Sequence, residues 1–130
     1  VTRVPVDEYG LVDPAVVQRA IEPETVNALR LAGGLATHTA ITRPAEFEVR
    51  MFLLGDAVTC AKCGQKVPQG FCNIEHLIEK VVPHQGQVSV CGSCMDARGI
   101  TPEELAEGCH RSSLDELTVL TDWADKVLVF

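Results

Sequence analysis

Six cysteines carry most of the chemistry this chain offers: Cys60, Cys63, Cys72, Cys91, Cys94 and Cys109. Four of them form two C-x-x-C pairs, CAKC at Cys60 and Cys63 and CGSC at Cys91 and Cys94. Such a pair closes as a disulfide, supplies half of a metal site, or sets a reactive thiolate beside a second thiol. The CGSC pair has the sharper context. QVSVC reads as a short strand that delivers Cys91 straight into the Gly92-Ser93 turn. If the backbone curls there into a helical turn, several amide N–H groups point back towards the sulfur. Those donors, with the positive end of the turn and the charge of Arg98, favour thiolate over thiol. A thiolate so placed attacks sulfur electrophiles and carries an extra sulfur as a persulfide. The bland alternative is a small buried residue that ends a strand. The expectation is Cys91 as an anionic, solvent-reachable nucleophile, Gly92, Ser93 and Arg98 as its stabilisers, and Cys94 as the resolving thiol.

A rival reading joins both pairs. Cys60, Cys63, Cys91 and Cys94 together resemble a four-thiolate zinc site, although residues 64–90 exceed the ~15–20-residue spacing of that pattern. Zinc is therefore the one metal the sequence suggests, while the sulfur-carrying reading requires no cofactor. Cys72 and Cys109 lack a C-x-x-C partner and read as packing or incidental thiols. His38, His76, His84 and His110 share no metal-binding spacing. Glu103, Glu104, Asp115 and Glu116 read as helix caps and first-turn charges. No G-x-G-x-x-G, Walker or G-x-S-x-G motif is present.

The elements that must hold these thiols follow from pattern. With 130 residues, 46% of them hydrophobic and 22% charged, the chain suits one globular domain, residues 1–130. A net charge of -7 gives no general attraction to nucleic acid or anionic lipid. No apolar run approaches the ~18–20 residues that span a bilayer. The opening VTRVPVDEYG lacks a secretory pattern, so no membrane association and a cytoplasmic location with reduced thiols are expected.

Val49 to Leu54 reads as a strand buried on both faces, and AVTCAKCGQ as a short helix closed by Gly64. Asn73 caps a helix whose Ile74, Leu77, Ile78 and Val81 share one face, stopped by Pro83. TPEELAEG carries a capping box from Thr101 to Glu104, with Gly108 ending the helix. Ser113 and Glu116 repeat that device ahead of a helix burying Leu117, Leu120, Thr121 and Ala124. KVLVF reads as a terminal strand. Residues 13–40 read as helical, broken near Pro23 and interrupted at Gly33-Gly34. VTRVPV alone is left as a first strand, which Pro5 weakens. Alternation of strands and helices predicts an α/β sandwich around a mostly parallel sheet.

Several segments together carry a resemblance: FEVRMFLLGDAV, GQKVPQGFCNIEHLI, VSVCGSCMDARGI, LAEGCHRSSLDELT and ADKVLVF. They resemble the DsrE/DsrF family with the YchN-like fold, from Glu48 to Phe130, with NALRLAGGLA from Asn27 added. The resemblance implies a three-layer α/β sandwich with a mostly parallel sheet in flavodoxin-like strand order. It also implies a small cytoplasmic sulfur-relay protein, and a homo-oligomer (trimer or hexamer) or an assembly with paralogous subunits. Sulfur donor and acceptor proteins would be its partners, with no direct contact to nucleic acid. It sets the persulfide at Cys91 and matches Arg98-Gly99 to the family's R-G. Residues 1–26 diverge: Glu24-Thr25 is all that remains of the usual P-Y-G-T-E turn, so the first strand is weak or atypical. Relay members do not require the CAKC pair.

Overall fold

The computed structural model describes residues 28, 30–34, 48–67, 69, 73–82 and 86–130. Among the described residues three strands, β1 (Arg50–Leu53), β2 (Gln87–Cys91) and β3 (Cys109–Ser112), form one parallel sheet in the order β1-β2-β3. Cys91 thus ends the middle strand, at the carboxyl edge. Parallel neighbours need a crossover that returns the chain to the starting edge. The first crossover holds a 3-10 helix (Gly55–Ala61) and α1 (Ile74–Val81). The second holds α2 (Gly92–Asp96) and a 3-10 turn (Pro102–Glu104); α3 (Leu114–Trp123) follows β3.

Helix α1 starts where Asn73 Oδ1 accepts the Glu75 amide at 3.0 Å. Its Ile74, Leu77, Ile78 and Val81 are all buried, as the three- and four-residue spacing predicts. They join Leu53, Val88 and Val90 in one apolar cluster. Each such side chain contributes about 1.5–3 kcal/mol by leaving water. Strand alternation sets Gln87, Ser89 and Cys91 on the other side of β2 from Val88 and Val90. The register aligns Ser89 with His110 and Cys91 with Ser112. Helix α3 covers this polar side: Glu116 bonds Ser89 and Ser112, and Trp123 stacks its ring 4.2 Å from the Arg50 guanidinium. Two helices on opposite faces of a parallel sheet make the expected three layers.

Local expectations fared unevenly. The sequence pattern assigns no element to β3, because CHRS has no β-branched residue and lies between a turn glycine and a helix cap. TPEELAEG forms only a 3-10 turn, although Glu104 Oε2 does accept the Thr101 amide at 2.9 Å. Gly108, at φ 82°, then turns the chain into β3. Of the four α3 residues expected inside, only Leu120 is buried, and Thr121 is exposed. The sheet face beneath α3 is polar, so it calls for Glu116 rather than an apolar stripe. Gly33-Gly34 lies within the helical residues 30–34 instead of interrupting them. KVLVF is not a strand: residues 127–130 are 53–89% exposed. A strand needs a ladder partner for its amides and carbonyls, and this segment has none in the described sheet. VTRVPV, the break near Pro23, Cys72, His38 and His84 lie outside the described residues. Among the described residues no helix is long and apolar enough to cross a membrane.

Candidate functional site

The site is built where β2 gives way to α2. Cys91 leaves the strand at φ -58°, ψ 115°, and Gly92 begins the helical turn at once. The Cys91 Sγ lies 3.3 Å from Ser93 Oγ. Burial pushes the Cys91 thiol up. Hydrogen bonding from the Ser93 hydroxyl, the Cys94 thiol and the Cys94 and Ser93 amides outweighs burial, and the thiol falls below its ordinary value. Neither amide makes a full cap bond to the sulfur, yet both favour its charged form. The Ser93 hydroxyl and the turn backbone are thus the groups that favour the anion at this sulfur.

Access is different from the expectation. Cys91 is only 1% exposed, so its sulfur does not stand on an open rim. It belongs to the same apolar cluster as Leu53, Val88 and Val90, while Ser93, which bonds it, is exposed and Cys94 half-buried. Cys94 is the more reachable thiol of the pair. Its sulfur accepts the Gly55 amide at 3.2 Å, which ties α2 to the start of the first 3-10 helix.

Arg98 does not serve the sulfur. Its Nε donates to Asp56 Oδ1 at 3.0 Å, its Nη2 pairs with the same carboxylate, and its Nη1 donates to the Cys94 carbonyl at 3.0 Å. It is a clamp between α2 and the 3-10 helix. A second guanidinium, that of Arg111 on β3, lies against the neighbouring Gly92. A Cβ on Gly92 would meet Arg111 Cζ and Nε at 2.8 Å and Nη2 at 2.9 Å. Three near-equal approaches mean that the guanidinium lies flat over Gly92. Asp96 holds it there with two bonds, 2.8 Å from Nη1 and 2.7 Å from Nη2. The Cys91 thiolate in turn favours the charged form of Arg111. Sequence reasoning missed Arg111 because it missed β3. Strand pairing is what brings Val90 beside Arg111.

Below the thiol, on the same side of β2, lies a polar cluster. Glu116 accepts from Ser112 Oγ at 2.6 Å and Ser89 Oγ at 2.9 Å, and sits 3.2 Å from His110 Nε2. These bonds, led by Ser112, hold the Glu116 carboxyl below its usual range. Its amide does take the Ser113 cap, at 3.3 Å, but the carboxylate has turned to the sheet.

The CAKC pair is arranged otherwise. Cys60 is buried in the apolar cluster and Cys63 is exposed. The Cys63 amide donates to the Glu104 carbonyl at 2.8 Å, and Lys62 pairs with Glu104 at 2.9 Å. Among the described residues no three His, Cys, Asp or Glu side chains converge as a metal-holding group, these four cysteines included. Cys109 is half-buried, and burial pushes its thiol up to about 11. His76 sits exposed on α1, 2.9 Å from Glu79.

The profile of the DsrE/DsrF-like family matches residues 15–130. The chain belongs to that family. Among its DsrE/DsrF-like relatives, protein YchN of Escherichia coli K12 is 38% identical over 104 residues, 80% of this chain and 84% of that one. An uncharacterized protein of Methanopyrus kandleri is 32% identical over 83 residues, 64% of this chain and 68% of its own. The crystal structure of the E. coli ychN protein superposes with a TM-score of 0.70 at 32% identity, covering 98% of this chain and 92% of that one. The family and the α/β fold expected from the quoted segments are therefore shown.

Proposed function

We propose that this chain is a sulfur-relay protein that carries sulfane sulfur as a persulfide on Cys91, with Cys94 as the resolving thiol. The observation that carries the reading is the place of the Cys91 sulfur, at the carboxyl end of the middle strand of the described sheet and 3.3 Å from Ser93 Oγ, where hydrogen bonding favours its thiolate. Membership of the DsrE/DsrF-like family supports it. In loading, the Cys91 thiolate attacks the outer sulfur of a donor persulfide. A new S–S bond forms at Cys91, the donor's S–S bond breaks, and the donor leaves as a thiolate. An acceptor thiolate then attacks the outer sulfur and returns Cys91 to its starting state. Alternatively Cys94 attacks the Cys91 sulfur, expels hydrosulfide and leaves a disulfide, which a dithiol reductant must reopen. With Cys91 only 1% exposed, loading requires a local opening at the first turn of α2.

The test is intact mass after exposure of the reduced protein to a small persulfide donor. The parent gains ~32 Da adducts, one sulfur each. Equal adducts on Cys91→Ser would remove the nucleophile assignment.

The carrier also works as an assembly of copies of this chain, in the reducing cytosol. Leu114, Val119, Trp123, Val127, Leu128, Val129 and Phe130 are all exposed on α3 and the segment after it. So much contiguous apolar sequence left in water marks an interaction face. Light scattering should give a multiple of the chain mass for the parent and a smaller one for Leu128→Asp. A monomeric parent would refute self-assembly.

A further inference from the structure

We propose that the Cys94 sulfur is the N-terminal cap of the 3-10 helix Gly55–Ala61, supplied from another element, so that closing a Cys91–Cys94 disulfide uncaps that helix. The site then carries a redox-sensitive switch. It rests on the carrier reading above for the event that closes the disulfide, and names a regulation of that same site. A helix start leaves its leading amides without acceptors, and the side chain at the N-cap ordinarily supplies one. Here the N-cap is Leu54, which has no acceptor, and no side-chain cap bond forms from it. The Gly55 amide donates instead to Cys94 Sγ at 3.2 Å, from 39 residues away in the chain. Gly55, at φ 61°, is the turn that leads β1 into the helix. The bond is partly buried, so water does not readily take the place of the sulfur.

Cys91 and Cys94 hold the N-cap and third positions of α2. Side chains three apart on a helix stand ~5–6 Å apart at Cβ, whereas a disulfide needs about 3.5–4.5 Å. Closing the bond therefore draws Cys94 towards Cys91. It also turns a thiol or thiolate into a neutral disulfide sulfur, a poorer acceptor for the Gly55 amide. In discharge the Cys94 thiolate attacks the inner sulfur of the Cys91 persulfide. One S–S bond forms between the two cysteines, and the bond to the outer sulfur breaks. That sulfur leaves with the electron pair and takes up a proton as hydrosulfide. The cysteines are oxidised to a disulfide while the sulfane sulfur is reduced to sulfide, and a dithiol reductant restores both the thiols and the cap. The second tie across this seam, Arg98 to Asp56, involves no sulfur and stays. Val58, Cys60 and Ala61 keep the remainder of the 3-10 helix buried. The change is thus confined to its first turn.

The experiment is hydrogen exchange at the Gly55 amide, resolved by NMR on the full chain. The parent is compared in a dithiol reductant and after diamide, a thiol oxidant that closes the disulfide without any sulfane sulfur; peptide mass mapping identifies the closed pair. Oxidation should speed Gly55 exchange by roughly tenfold. The Gln87 amide, which donates to the Val49 carbonyl away from the switch, should keep its rate. Cys94→Ala should exchange fast at Gly55 with or without oxidant. Cys91→Ala keeps the cap but cannot close, and should stay slow under both conditions. Equal Gly55 rates in the reduced and oxidised parent would overturn the switch, as would slow exchange in reduced Cys94→Ala. A parent in which diamide forms no Cys91–Cys94 disulfide would overturn it too. Should Cys91→Ala fail to fold, the parent and Cys94→Ala decide by themselves. A parent that gains no ~32 Da adduct yet speeds up at Gly55 with diamide removes the carrier reading and keeps the switch; sulfur loading with Gly55 unmoved removes the switch alone.

Discussion

The chain contains the same four-residue device twice; the first cysteine of each is buried in one apolar cluster, but the two copies fall at opposite ends of helical turns. Cys91 and Cys94 open a helical turn, so the amides ahead of them have no partner within the helix and favour a thiolate. Cys60 and Cys63 close one. They sit at the end of the 3-10 helix Gly55–Ala61, where carbonyls rather than amides are left over. Beside this end the Cys63 amide donates to the Glu104 carbonyl, and Ala106 donates to Ala61 in the same seam. Spacing alone does not decide the chemistry of a C-x-x-C pair. The side of the helix on which it falls does.

That contrast is open to attack by substitution. The largest expected effect is all-or-none: Cys91→Ser loses sulfur loading while Cys60→Ser keeps it, read by the same mass assay. Loading that disappears with Cys60 would mean that the two pairs act as one unit. Next in size, Cys60→Ala removes a buried sulfur from the apolar cluster and should cost about 1–3 kcal/mol in denaturant unfolding. Cys63→Ser, on the exposed side, should change stability by no more than about 0.5 kcal/mol. Equal losses at the two positions would erase the division into a buried structural thiol and a surface one.

The strand-to-turn placement of Cys91 was legible because apolar alternation and a glycine punctuate it. The α1 stripe was legible for a similar reason, since four apolar residues recur at helical spacing. Arg111 and the Glu116 cluster were not. Both depend on β3, a four-residue strand held by its pairing with β2 rather than by its own propensity. Arg98 misled for the complementary reason. It is near Cys91 in the chain, but its fork finds a carboxylate from another element, Asp56. The openness of the sulfur was misjudged as well, because Cys91 belongs to the apolar cluster. The terminal KVLVF has the composition of a strand, yet composition supplies no neighbour.

The most direct test of the account is the pH midpoint of alkylation at Cys91, measured alongside Cys63 and Cys109 in one mapped digest. Cover slows the absolute rate, but the midpoint reports the thiol's acidity. Cys91 should turn reactive at a pH below that of an ordinary thiol, about 8.5, and Cys109 last, near its raised value of about 11. A Cys91 midpoint at or above that of Cys63 would contradict the thiolate on which the sulfur-carrying role depends.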